Sequence, residues 1–252
     1  MTALEREQSY YDEAYGSYIP ELFAKPAVVQ FRRYLIKKIL RATGANARSR
    51  VLSIGCGIGD TERLLAPHVA HVTCVDLSPK AIAIARGAKL DGDLNNLDFM
   101  CGSWQSAEIG EDPFDVVIAI FFLHHLSGPD LRTFPFQLRR VLREGGAFYA
   151  LDPSARRLSG ILGELLVPKL MKKYQSENEH PLRMRSTLEV FRTAGFEAQS
   201  RWFDFTSTPL AGLFPAWLTG YRLARLVDEG LTRIPIINEL SSNFELVARR
   251  SR

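Results

Sequence analysis

A chain of 252 residues has room for one α/β domain with additions or for two small domains, and 46% hydrophobic with 24% charged residues excludes a largely disordered chain. A net charge of +4 is too mild for a dedicated nucleic-acid binder. No uninterrupted apolar run of about 18 residues occurs, and the charged start MTALEREQSYYDEAYG lacks an apolar core, so neither a spanning helix nor a signal peptide is expected.

In chain order, residues 1–24 are polar and rich in tyrosine (Tyr10, Tyr11, Tyr15, Tyr18). Val28, Phe31, Leu35, Ile36 and Ile39 recur at helical spacing and predict a helix over 26–42, ended by Gly44. Strands and helices then alternate, as a doubly wound sheet requires. Strands are expected at 51–54, 71–75, 97–101, 114–120 and 147–151. Helices are expected from Thr61 to before Pro67, after a Ser78 cap with Pro79 in the first turn, and over 130–142, where Pro135 must bend the helix or delay its start. After Asp152 the alternation breaks. Residues 154–183 read as a helical insertion carrying Ile161, Leu162, Leu165, Leu166 and Val167, then Lys169, Lys172 and Lys173. Ser186 to Glu189 has the form of a capping box for a helix ending at Gly195. Strand candidates at 196–205 and 244–248 enclose 207–242, too long for a hairpin loop and rich in apolar and aromatic residues, hence a second helical insertion.

The stretch VLSIGCGIGD (51–60) organises the rest. An apolar strand runs into three glycines, Gly55, Gly57 and Gly59, where backbone must approach a ligand closely and positive φ is accessible. The spacing is Gly-x-Gly-x-Gly. Asp60 stands where the dinucleotide fingerprint has its third glycine, which shifts the reading from a pyrophosphate toward a ligand without phosphate. Seventeen residues after Gly59, Asp76 ends the next strand, where a carboxylate can accept both hydroxyls of a ribose.

With VDLSPKAIAIAR (75–86), FDVVIAIFFLHHL (114–126) and LREGGAFYALDP (142–153), this stretch makes the sequence resemble the class I S-adenosylmethionine-dependent methyltransferases of the small-molecule type. Order and spacing agree over roughly residues 45–155. The resemblance implies an α/β fold: a doubly wound seven-stranded, mostly parallel sheet with an antiparallel edge strand, plus helical lid insertions. It implies S-adenosyl-L-methionine as cofactor. Gly55, Cys56, Gly57 and Gly59 would line its amino-acid portion, Asp76 its ribose and Leu77 its adenine. Gly102, Ser103 and Trp104 would meet the adenine amine, although Ser103 replaces the acid usual there. Ile120 and Tyr18 are also expected at the cofactor. The whole chain, 1–252, reads as one methyltransferase domain: a helical lid at 1–45, a cofactor core at 46–153, and insertions at 154–183 and 207–242 capping the substrate.

Methyl transfer from a sulfonium needs mainly alignment of the acceptor. His124 and His125 follow strand 4, where one imidazole can deprotonate or orient an oxygen acceptor; the other reading is a His-His pair packed near the cofactor. The stretch after strand 4, Ala119 to Phe122, lacks the Asn/Asp-Pro-Pro-Tyr/Phe motif used on base amines, and no Pro-Cys nucleophile occurs. No nucleic-acid partner is therefore expected, nor a metal, since none of Cys56, Cys74 and Cys101 has ligand spacing. The odd, core-placed cysteines point to reduced thiols and a cytoplasmic setting. Leu213, Phe214, Trp217, Leu218 and Tyr221, followed by Arg222, Arg225 and Arg233, suit a small-molecule or lipid-like acceptor and peripheral membrane contact. The other reading is a lid over a soluble acceptor. A non-catalytic S-adenosylmethionine-binding protein and a nicotinamide oxidoreductase compete with the enzyme reading, and the oligomeric state is open.

Overall fold

The structure, a computed structural model, describes residues 3–90, 94–105, 109–110, 112–166 and 179–251. Helices α1 (Ala3–Ser17), α2 (Ile19–Phe23) and α3 (Pro26–Thr43) precede a sheet of β1 (Arg50–Ile54), β2 (His71–Asp76), β3 (Leu97–Cys101), β4 (Phe114–Ile120), β5 (Leu142–Pro153), β6 (Phe196–Asp204) and β7 (Asn243–Arg250). Between strands lie α4 (Asp60–Leu65), α5 (Pro79–Leu90), α6 (Gly128–Val141), α7 (Leu158–Leu166), α8 (Met184–Thr193), α9 (Ser207–Leu213) and α10 (Leu218–Leu231). The strand order is β3-β2-β1-β4-β5-β7-β6. Neighbours from β3 to β5 pair in parallel, and β7 pairs antiparallel with both β5 and β6. The antiparallel strand thus belongs to the edge hairpin, in its inner place, with β6 outermost.

The sheet is buried on both faces. Val116, Ile118, Tyr149 and Leu151 join one core with Phe31, Leu35 and Ile39 of α3; Val117, Ala119, Phe148 and Ala150 join the other with Phe134, Leu138 and Phe191. Alternate residues of one strand serve opposite cores, which is why β4 reads as continuously apolar. The order reverses between β1 and β4, and the crevice at their carboxyl ends is where such sheets take ligands.

Two local expectations are corrected. Helix α6 begins at Gly128, not Asp130, because the Ser127 hydroxyl accepts from the Asp130 amide at 3.3 Å; Pro135 sits inside the helix and does not delay it. Ser186 does not cap α8. The helix starts at Met184, and Ser186 Oγ donates back to the Arg183 carbonyl at 3.0 Å. Of the first insertion, α7 lies within the described residues, whereas 167–178, with Val167, Lys169, Lys172 and Lys173, lie outside them. The second insertion is helical, as α9, α10 and the 3-10 turn Ile237–Leu240. It leaves from the end of β6 and returns at the start of β7. Both points are at the carboxyl-end face, since β6 runs parallel to β5.

Candidate cofactor and acceptor site

β1 stops at Ile54 because Gly55, Gly57 and Gly59 take φ of 71°, 54° and 70°, a region closed to most side-chain-bearing residues. Space forbids a side chain as well. A Cβ on Gly57 would stand 2.5 Å from the Tyr15 hydroxyl, and one on Gly55 2.7 Å from Cδ2 of Phe122. The turn is a cradle of bare backbone beneath aromatic rings. Asp60, in the place of a third glycine, carries its Oδ2 2.7 Å from Nε of Arg32, which ties α3 to the turn.

Asp76 stands at the end of β2 and faces that turn. Its Oδ2 accepts from the Gly57 amide at 2.8 Å and its Oδ1 from the Ser78 amide at 2.9 Å. A carboxylate has about four lone-pair sites, so two remain for hydroxyls of a ligand. Leu77 is half-buried beside it, and Cys56 is buried. The Gly102 amide donates to the Asp76 carbonyl at 2.9 Å, which brings the end of β3 alongside. There Ser103 contacts Gln105, while Trp104 is buried against Phe134 with its indole N–H lacking a partner among the described residues. Ile120, half-buried, closes β4 on the same side, and Phe121 follows at φ 54°, a strained position for an aromatic residue.

Helix α1 lies across this face. Asp12 accepts from the hydroxyl of Ser78, and Tyr15 covers Gly57. The tyrosine that meets the turn is therefore Tyr15; Tyr18 lies three residues on, beside Tyr10. Burial, then Asp76, pushes the Tyr15 phenol well above its usual range, so it is a neutral donor. Tyr11, Tyr15 and Tyr18 share one helical face by their spacing, a signal in the sequence that did not single out Tyr15.

His124 and His125 occupy the 3-10 turn Leu123–His125 after β4. Nδ1 of His124 lies 2.8 Å from Oδ1 of Asp152, the buried acid at the end of β5, and that oxygen also accepts from the His124 amide at 3.2 Å. Burial, then the neighbouring His125, holds the His124 imidazole well below its usual range, so the ring is neutral. With Nδ1 turned to a carboxylate, its lone pair is on Nε2, ready for a proton or a cation. Nδ1 of His125 stands 2.8 Å from Glu7 of α1, and its Nε2 3.3 Å from the Tyr11 hydroxyl. Sequence reasoning named both histidines but not Asp152, Glu7, Tyr11 or Glu179. Those partners come from three separate segments, α1, the end of β5 and the stretch at Glu179, where the Tyr11 hydroxyl donates to Glu179 at 3.4 Å, and no spacing links them to the histidines.

The sheet order and the glycine turn after β1 define the Rossmann-like fold of class I methyltransferases. Residues 51–146 match the family model described as a methyltransferase domain. The chain is similar to an uncharacterized methyltransferase, YcgJ, of Bacillus subtilis, at 28% identity over 114 residues, 45% of this chain and 44% of that protein. It is similar to a demethylmenaquinone methyltransferase of Oceanobacillus iheyensis, at 26% over 216 residues, 77% of this chain and 87% of that one. The crystal structure of Bacillus subtilis YcgJ superposes with a TM-score of 0.60 at 20% identity, covering 87% of this chain and 99% of the other. Residues 51–146 thus carry a methyltransferase domain, whose methyl donor is S-adenosylmethionine. The residues fit that cofactor: a backbone cradle with no room for a Cβ, a carboxylate facing it with lone pairs to spare, and, past the end of β3, an indole donor with no partner among the described residues.

Proposed function

We propose that the enzyme methylates a small, lipid-like acceptor that it meets at a membrane surface on the cytoplasmic side. One observation carries this: α10 is turned inside out. Its buried face holds Arg225 and Asp228 with Tyr221 and Ala224, and its outer face holds Leu223, Leu226 and Val227. The inward polar pair is tied down by hydrogen bonds, although Nε of Arg225 has no partner among the described residues. Asp228 accepts from the Thr206 and Ser207 amides at 2.8 and 2.9 Å, and Arg225 donates to the Phe203 carbonyl at 3.1 Å and the Tyr34 hydroxyl at 2.6 Å. The helix is fixed in this orientation, and its apolar face is left outward. Leu213, Phe214, Trp217, Ile234 and Ile236 extend that exposed apolar surface within the same insertion. Ile236 is 84% exposed and held at φ 73°, a strained way to present a β-branched side chain outward. Exposed apolar side chains of this kind, with the exposed Arg222 and Arg233 in the same segment, suit a lipid boundary. No helix among the described residues is long and apolar enough to cross a membrane, so the contact is peripheral. The name of the Oceanobacillus relative points to an acceptor of the same lipid character.

Gly55, Cys56, Gly57 and Gly59 would hold the methionine end of the cofactor, Asp76 the ribose, and Leu77, Gly102, Ser103 and Trp104 the adenine side, with Ile120 beneath. When bound, S-adenosylmethionine supplies an electrophilic methyl whose leaving group is a neutral thioether. The chain's own work is placement. Tyr15 and α1 exclude water above the turn, and the His124–His125 corner orients the acceptor's reacting atom. The insertions at 154–183 and 207–242, with the lid at 1–45, cap the acceptor. Trp217 packs over Gly220 on this cap, where a Cβ would come within 2.3 Å of its ring. Trp217→Ala is therefore expected to lower turnover of quinone-type or phenolic acceptors presented in vesicles at least fivefold, with S-adenosylhomocysteine affinity unchanged by calorimetry. Unchanged acceptor kinetics with weakened cofactor binding would overturn the assignment of this cap to the acceptor.

A further inference from the structure

Two imidazoles and three carboxylates meet at the carboxyl ends of β4 and β5. The 3-10 turn sets the rings of His124 and His125 side by side, centroids 4.0 Å apart. On the Nδ1 side of each ring a carboxylate stands 2.8 Å away, Asp152 for His124 and Glu7 for His125. Each ring therefore offers Nε2. One ring nitrogen of each histidine and one carboxylate oxygen of Glu179 all lie within 4.8 Å of one another. The Glu179 segment is pinned there by its backbone, since the His180 amide donates to the His124 carbonyl at 2.7 Å. Tyr11 closes the ring of groups, its hydroxyl donating to Glu179 at 3.4 Å.

We propose that His124, His125 and Glu179 bind one divalent transition-metal ion, Zn2+ or a neighbour in its series, with Asp152 and Glu7 orienting the two imidazoles. Metal-binding histidines are held in this way, a carboxylate on the far nitrogen fixing the ring and raising its basicity. Two imidazoles and one carboxylate select zinc, cobalt or iron over the magnesium and calcium that all-oxygen sites prefer. Three protein ligands leave a position open, the pattern of ions that act on a substrate. The consequence, which rests on the methyltransferase reading, is an oxygen acceptor. A hydroxyl or enol entering the open position would lose its proton to solvent near neutral pH, its O–H pair staying on the oxygen that takes the methyl. Spacing along the sequence hid the site because its ligands come from two segments 54 residues apart and their supports from two more.

The test is titration of the chelator-stripped, full-length protein with Co2+, followed by visible absorption, and with Zn2+ by calorimetry. Affinity for S-adenosylhomocysteine is measured on the same samples. One Co2+ per chain with new visible bands is expected. Glu179→Gln and His125→Gln should each weaken binding at least tenfold, and Glu7→Gln, which removes a support, by roughly 10- to 100-fold. Glu179→Gln should leave S-adenosylhomocysteine affinity intact, which shows that the variant is folded. Wild-type Co2+ binding no tighter than that of the His125→Gln, Glu179→Gln double variant would overturn the metal site, leaving the methyltransferase reading in place if S-adenosylhomocysteine still binds. Folded wild type that takes up Co2+ but not S-adenosylhomocysteine would support the metal site and overturn the methyltransferase reading instead.

Discussion

Asp76→Asn separates two roles that share one side chain. The carboxylate accepts from two backbone amides, Gly57 through Oδ2 and Ser78 through Oδ1. An asparagine has one carbonyl oxygen, so it can serve one of these amides, and its NH2 faces the other. Leaving a buried amide without a partner costs about 1–3 kcal/mol of stability. Hydroxyls of a bound ribose would add charge-assisted bonds worth about 1.5–3 kcal/mol each. Losing the charge of even one weakens binding at least about tenfold, since 1.4 kcal/mol is a factor of ten. Urea denaturation without ligand reads the first role and calorimetry with S-adenosylhomocysteine the second. Both quantities should fall. A loss of stability with unchanged affinity would refute the ribose role and leave Asp76 as a brace between the turn and α5.

Two further predictions test other parts of the fold. Glu62 lies buried under the glycine turn, its carboxyl accepting from Ser53 Oγ at 2.6 Å, and burial pushes it up to about 7 from 4.5. Below pH 4.5 both states hold the proton; between 4.5 and 7 only the folded state does. Stability therefore falls through that window by about 1.4 kcal/mol per pH unit, about 3 kcal/mol in all. Glu62→Gln should flatten the slope, and equal wild-type stability at pH 5 and pH 8 in urea would refute it. On α10, Leu226→Asp should change stability by no more than about 0.5 kcal/mol and sharply reduce co-sedimentation with anionic vesicles, whereas Arg225→Leu should cost about 3–5 kcal/mol by stranding Asp228. The opposite ranking would show that the outer face of α10 is not the membrane face.

The glycine turn and the acid that faces it were legible because their constraints are local. A strand, a turn that admits no Cβ and an acid at the next strand end lie in continuous stretches, so Gly55, Gly57, Gly59 and Asp76 can be found by spacing. The partners of the histidine pair were not legible. Asp152 sits inside a quoted motif, but that it reaches His124 follows from β4 and β5 pairing in register, Ile120 beside Leu151, a fact of topology. The start of α6 was missed for a related reason: the hydroxyl of Ser127, three residues before the expected start at Asp130, decides it.

The insertion at 207–242 exposes a deeper limit. Periodicity reports that one face of a helix differs from the other and not which face turns inward. The usual assumption, apolar in, would bury Leu223, Leu226 and Val227. It fails because Asp228 is needed inside. The amides at the start of α9, Thr206 and Ser207, emerge beside the buried Asp204, and a short helix there must find acceptors for them. Asp228 supplies both, Arg225 offsets its charge at 3.8 Å while bridging to α3 through Tyr34, and the leucines are turned out as a consequence. An exposed apolar face maintained by a buried ion pair is the reverse of what stability alone favours. Contact with something apolar, acceptor or bilayer, gives that arrangement a use.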